Sequence, residues 1–300
     1  MRPVGEAAAL IAAFTWSATS VAMASLSSRT TPVAMSALRL SIATLLLPIV
    51  LLVSGEAGQL GDAPLSVIVA MIGSGLLAYT VGDTLYIAAL AELGVQRAFT
   101  LTMAGFIALT VAGGVVLLGE SLHWYQGIGA LFVAGGIYLI VRSRSSSDAK
   151  RARADWLGYG LIAVVAVFWA AATLWLAGQR GDLGSVAASA IRTPAGTAGM
   201  LAFALATAPR DLVVPFRTFN HIAAITVIGV VSTLFGSLLY VYAVGEAGAA
   251  RTTILNAASP MMALPLSIIF LKEPFTRAVA IGTGVCVAGV VLVVDRKSVV

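Results

Sequence analysis

Three ionisable side chains stand well inside long apolar stretches of this chain: Arg39, Asp83 and Arg192. An Arg or Asp at the centre of a bilayer costs roughly 2.5 to 3.5 kcal/mol on insertion scales, so each is expected to face a bundle interior or a wet cavity. At about 1.5 Å per residue, Arg39 lies roughly 9 Å below the start of its run and Asp83 roughly 10 Å short of the end of its own. Those two ends emerge on the same side, which allows an ion pair. The pair is a structural clamp, or a working site in which Asp83 takes up a proton or releases a substrate amine while Arg39 holds an anion, or the two groups simply reach water. Arg192 has no such acid, because Ser237 stands at the place that matches Asp83. It must find backbone carbonyls, water or an anionic ligand such as a carboxylate, or else pack locally at the Thr193-Pro194 break.

Polar aromatic and amide groups accompany these charges. Gly75, Tyr79, Gly82 and Tyr86 recur at helical steps along one face, and Gly229, Thr233, Gly236 and Tyr240 repeat the pattern. Small residues permit close helix contact and also leave room for a cavity, and the tyrosines either offer hydroxyls to a ligand or pack as rings. Asn256 precedes Pro260 and Pro265, whose missing N–H groups free carbonyls within a helix, an arrangement tolerated where it lines a protein-buried or wet space. Thr102 matches Asn256 in the first half, but Phe106 replaces Pro260, so the halves should not be equally bent. The pairs Glu92/Arg97 and Glu246/Arg251 bracket tight turns, and Glu120 and Glu273 stand where one helix stops and the next begins, as capping or gating groups at the membrane edge.

Other chemistries find little support. His123 and His221 are far apart and the lone Cys286 sits in an apolar run, so neither a metal site nor a disulfide framework is expected, and no cofactor. Gly73-Ser74-Gly75-Leu76-Leu77-Ala78 imitates a dinucleotide fingerprint but lacks the strand-to-helix turn that gives it meaning. Gly82-Asp83 imitates a membrane aspartyl protease, yet no second acid lies well inside any run to share a proton, which excludes a dyad unless a Glu at a run edge moves in.

The elements that must hold these groups are membrane helices. The chain is 59% apolar and 10% charged, with a mean hydropathy of +0.99, a balance foreign to soluble domains. Its net charge of +5 lies mostly in hydrophilic connections and calls for no nucleic acid. Ten runs approach the length that crosses the hydrocarbon core: 6–26, 33–53, 65–90, 98–118, 124–141, 156–176, 185–206, 221–244, 253–270 and 277–294. Arg2 and the alanine-rich first run imitate a signal peptide, but the sixth run repeats its tryptophan in the chain interior, which argues against cleavage. Short connections predict that successive helices pack as antiparallel neighbours, and Trp124 and Trp156 mark run ends as headgroup anchors.

The chain is written twice. Sliding one half onto the other brings Trp16 to Trp169, Arg39 to Arg192, Gly75 to Gly229, Gly82 to Gly236, Tyr86 to Tyr240, Glu92 to Glu246 and Glu120 to Glu273. The division is a first five-helix repeat at 1–141, a polar basic linker at 142–155 and a second repeat at 156–300. Five is odd, so the second copy crosses in the opposite sense, the inverted-repeat arrangement of secondary transporters with a site near the midplane. The fold class expected is all-α integral membrane, ten transmembrane helices as a 5+5 inverted-topology repeat.

This tandem repeat, Trp16 and Trp169 in the opening helices, Arg39 and Arg192 in the next, the GDTLYIAALAELGVQRA segment and the Gly119-Glu120 turn resemble the EamA-type transporters of the drug/metabolite transporter superfamily. The resemblance implies a central cavity, alternating access and export of small metabolites such as amino acids, from a multi-pass protein of the plasma membrane. Substrate contacts are then expected at Arg39, Asp83, Arg192, Trp16, Trp169, Tyr79, Tyr86, Tyr240 and Asn256, with protons as a coupling ion and the bilayer as surroundings. An embedded enzyme or lipid-handling protein would need a nucleophile, acid pair or metal cluster at helix depth, and a passive channel would show flux without saturation or exchange. Lys and Arg are denser on the linker side, which by the positive-inside rule puts the termini outside, whereas the resemblance implies termini inside.

Overall fold

The computed structural model describes residues 2–26, 30–93, 95–142, 152–256, 258–271 and 277–293. Residues 143–151 of the linker and Glu273 lie outside them, as do the side chains of Glu92, Arg97, Trp156, Pro260 and Cys286. Every regular element among the described residues is helical: α1 (Arg2–Leu26), α2 (Pro32–Ser54), α3 (Gln59–Asp62), α4 (Leu65–Gly75), α5 (Asp83–Leu93), α6 (Val95–Leu118), α7 (Trp124–Arg142), α8 (Ala152–Gln179), α9 (Ser185–Thr207), α10 (Phe219–Ile228), α11 (Ser237–Ala247), α12 (Ala249–Asn256), α13 (Ser259–Leu271) and α14 (Arg277–Val293). Two wider π-helical segments join α4 to α5 and α10 to α11: π1 (Leu76–Gly82) and π2 (Gly229–Gly236). Short 3₁₀ turns, Pro209–Leu212 and Val214–Arg217, link α9 to α10.

Local signals explain the ends. Pro32 opens α2, where its missing N–H costs nothing, and Gly55 closes it at φ 74 with its N–H on the Leu52 carbonyl. Each apolar run of the sequence falls on a helix, but seven spans meet the length and hydropathy of a membrane crossing among the described residues: Pro3–Met23, Val33–Ser54, Leu65–Tyr86, Leu101–Leu118, Leu157–Gln179, Phe219–Ala247 and Ala249–Phe270. The run on α9, described throughout, falls short of that standard. For α9 the reason is visible: it spends its length on Ser189, Arg192, Thr193 and Thr197, all buried against protein. The ninth run is divided into α12 and α13, while α6, its counterpart with Phe106, runs unbroken.

The expectation that successive helices pack as antiparallel neighbours is met where α5 meets α6, α6 meets α7 and α11 meets α12, but the more extensive packing joins opposite halves. The closest partners come from opposite halves, and each has a mate in which the halves exchange roles. Helix α1 packs on α11 and α13 as α8 packs on α5 and α6; α2 lies on π2 as α9 lies on π1; α2 meets α9, α6 meets α12 and α7 meets α14. Sequential pairs such as α5 with α6 and α6 with α7 touch less. Lipid removes the hydrophobic drive between helices, so association follows from close van der Waals fit, and small residues supply it. Ala9, Ala12, Ala13, Ala37, Ala43, Ala187, Ala188 and Ala243 are fully enclosed on these cross-half faces. One central cluster, with Ala12, Met71, Ala170, Leu176, Tyr240 and Val241, draws from both halves.

Candidate functional site

The two π segments organise the interior. A π turn is wider than an α turn and hydrogen-bonds five residues back, a geometry often found at functional positions. Each presents a carbonyl to the tryptophan of the other half: the Trp169 indole N–H donates to Ala78 O at 3.1 Å in π1, and the Trp16 N–H donates to Ser232 O at 3.2 Å in π2. A buried indole N–H needs such an acceptor where water is excluded. The glycines make the approach possible. A methyl on Gly82 would overlap the Trp169 ring, and one on Gly236 would sit 2.6 Å from Thr15 Oγ1 and 2.9 Å from Trp16 Nε1. Against the indoles lie the predicted tyrosines, with Tyr86 5.2 Å from Trp169 and Tyr240 5.3 Å from Trp16 between ring centroids. Phe106 meets Trp169 edge-on at 6.2 Å.

Arg39 and Asp83 form the ion pair that their depths allow. Arg39 Nη2 donates to Asp83 Oδ2 at 2.5 Å, and the two side chains remain 16% and 12% exposed. Arg39 Nε is buried and makes no hydrogen bond. The backbone of Arg39 is itself a packing surface, since a methyl on Gly229 would stand 3.0 Å from its carbonyl oxygen. Both charges are close enough to Tyr86 to act on its hydroxyl electrostatically.

Arg192 occupies the matching place in the second half and is treated differently. It is 3% exposed, donates from Nε to Ser74 Oγ at 3.1 Å, and lies over the Tyr79 ring at 5.7 Å from the centroid. Ser74 in turn donates to Ala172 O at 2.6 Å. No carboxylate pairs with Arg192 among the described residues. Neutral groups therefore surround a buried cation, which one hydrogen bond and one ring only partly replace for lost hydration. The Tyr240 hydroxyl, 3.0 Å from Thr173 Oγ1, lies within electrostatic reach of Arg192 and Tyr79. Asn256 is 1% exposed, accepts from Ser259 Oγ at 3.2 Å, and keeps Nδ2 without a partner; Thr102 Oγ1, at the matching place on α6, is likewise unpartnered.

The register of α2 against α9 spaces the two arginines. Thr44 and Thr197 share a hydroxyl hydrogen bond of 2.6 Å, and Thr197 reaches Leu40 O at 3.3 Å. The helices run antiparallel, because Glu56, just past α2, accepts the Val186 and Ala187 N–H groups at the start of α9. Arg39 and Arg192 each precede their threonine by the same interval, so their Cα atoms separate by about 12 to 15 Å along the helix axes.

A third group closes the end of the bundle at which α2 and α6 finish. Glu120 accepts the N–H groups of Ala249 and Ala250, at 2.7 and 2.9 Å, on the first turn of α12. Gly248, at φ 86, leaves the space its carboxylate fills. Glu56 does the same for α9 at 2.9 and 2.8 Å, with Gln59 Oε1 taking the Gly184 N–H at 2.7 Å. Glu246 and Arg251 flank the tight turn at Gly248, as the sequence suggested, and Arg251 finds its acid elsewhere: its Nη1 donates to Glu6 at 3.2 Å, with side-chain exposures of 6% and 3%. Burial pulls the Arg180 guanidinium down from its ordinary value, while neighbouring Glu246 and Glu56 push it up. Glu6 and Glu56 escaped the sequence reading: Glu6 opens the first apolar run and was detectable as a buried acid, whereas Glu56 sits among ordinary loop residues. Among the described residues no three or more His, Cys, Asp or Glu groups gather as a metal site.

The sequence model of the EamA-like transporter family matches residues 3–142 and again residues 156–295. Over 78 residues the chain is 32% identical to an uncharacterized transporter of Archaeoglobus fulgidus; that match spans 26% of this chain and only 28% of the relative's length. A solved crystal structure of a protein 18% identical in sequence superposes with a TM-score of 0.82, covering 99% of this chain and 98% of that one. At that identity the likeness speaks for the fold alone.

Proposed function

The chain belongs to the EamA-like transporter family, and on that premise we propose that this multi-pass membrane protein is a secondary carrier working by alternating access. Its cargo in this reading is a small metabolite, such as an amino acid or a related anionic or zwitterionic compound, exported across the plasma membrane. Residues 1–141 and 156–300 are two oppositely inserted repeats of five spans each, joined by the linker 142–155, and the mated cross-half contacts support that symmetry.

One observation carries the reading: Arg192 is a cation enclosed among neutral groups in the middle of a membrane bundle. A carboxylate arriving there would replace the hydration that Arg192 has lost, and charge-assisted bonds to guanidinium are the strong kind. Tyr79 lies over it and Tyr240, packed on Trp16, is within its reach; in this reading Asn256 belongs to the same subsite, and Arg39, Asp83, Tyr86 and Trp169 form a second polar cluster. Glu56, Glu120 and the Glu6–Arg251 pair hold one end shut, and the opposite state of the cycle requires them to part.

The test is counterflow of candidate metabolites in proteoliposomes at several external pH values. The reading expects saturable flux, stimulated by the same compound on the far side, for at least one small carboxylate or zwitterion. Flux without saturation or exchange would make the protein a channel, and no flux of any such compound would remove the carrier reading.

A further inference from the structure

The two matching arginines differ in one respect that bears on the charge of the cargo. Arg39 has its acid, whereas among the described residues Arg192 has none, the position of Asp83 being taken by Ser237 in the second half. Taken together, Arg39, Asp83 and Arg192 leave one uncompensated positive charge in the interior. The other buried pair among the described residues, Glu6 with Arg251, is neutral and sits at the closed end. Burying charge is costly unless it is matched, so an interior of this kind is complementary to one added negative charge and opposed to two.

We infer that Asp83 fixes the cargo as one bearing a single net negative charge at its recognition end, by occupying Arg39 and so closing a second anion subsite. The inference rests on the carrier reading with Arg192 as the carboxylate holder. Three features of Arg39 support a subsite held closed by Asp83. Its guanidinium spends one nitrogen on Asp83, Nε is buried and bonded to nothing, and the pair is more open than the Glu6–Arg251 pair, at 16% and 12% against 6% and 3%. A neutral side chain at 83 leaves a second guanidinium for a second carboxylate. The cargo then preferred carries two, one for each arginine.

Titration of the full chain in lipid nanodiscs with propionate and butyrate against malonate and succinate tests this directly. In the wild type the monocarboxylates bind in preference to the dicarboxylates. In Asp83→Asn the ratio moves toward the dicarboxylates by about tenfold or more, the scale of one charge contact. Asp83→Glu keeps the wild-type ratio. The double variant Arg39→Gln/Asp83→Asn, which has neither charge and no ion pair to lose, returns to the monocarboxylate side. An Asp83→Asn protein that stays monodisperse, still binds monocarboxylate through Arg192 and shows an unchanged ratio overturns the inference while leaving the carrier reading intact. A double variant that shifts toward dicarboxylates overturns it too. Binding that is unaffected by Arg192→Gln, or absent for every acid, overturns both.

Discussion

The indole N–H of Trp169 ends on the carbonyl of Ala78, in the other half of the chain, and Trp16 repeats that bond on Ser232. Each half thus fastens its first long helix to the π segment of its mate. The glycines at the crossings are what let the rings and backbones meet.

Gly75 and Gly82 should therefore be intolerant of any side chain. A methyl at Gly75 overlaps the Arg192 backbone, while Gly127 on α7 has open space around it. Gly75→Ala and Gly82→Ala are expected to cost about 1 to 3 kcal/mol by overpacking, and Gly127→Ala close to nothing. Thermal unfolding of the detergent-solubilised protein reads the difference; equal melting temperatures for all three would contradict the packing described.

Arg39 and Asp83 should show strong coupling. Removing one member of a buried pair costs roughly 3 to 5 kcal/mol, whereas replacing both leaves no stranded charge. Arg39→Gln and Asp83→Asn are each expected to lower the melting temperature more than the double variant does, and a double-mutant cycle measures the interaction. Additive losses would mean that the pair holds nothing. The same Asp83→Asn protein separates the two roles of the acid: a coupling group loses the pH dependence of flux, and a clamp loses stability alone.

At the closed end, Glu120 and the Glu6–Arg251 pair should bias the conformational equilibrium. A carboxylate on a helix N-terminus contributes about 0.3 to 1 kcal/mol, up to about 2 when partly buried. Glu120→Gln and Glu6→Gln are expected to speed alkylation of a cysteine placed at Ser189, buried near this end on α9, in a Cys286→Ser background. Labelling at the wild-type rate in both would remove these residues from the gate.

How much of this was legible in the sequence follows from what side-chain types record. The doubled pattern and the ten apolar runs were readable because hydropathy and motif spacing are properties of the letters themselves. The Arg39–Asp83 pair was readable because helix rise converts position into depth. By contrast, nothing in the letters at Leu76 or Gly229 announces a π turn, so the carbonyls offered to Trp16 and Trp169 were invisible. Arg251 reaching Glu6 spans 245 positions, a distance that local spacing cannot convey. Ser74 as the partner of Arg192 was hidden for the same reason: it lies in the other half and has no charge. The dominance of cross-half packing was hidden because loop length constrains which helices are antiparallel, not which small-residue faces fit best.

The central claim is that Arg192 receives the cargo, and flux through Arg192→Ala measures it most directly. In proteoliposomes holding equal amounts of folded protein, the variant is expected to lose the saturable exchange of the cargo that the wild type shows. Undiminished exchange at normal insertion would contradict the account.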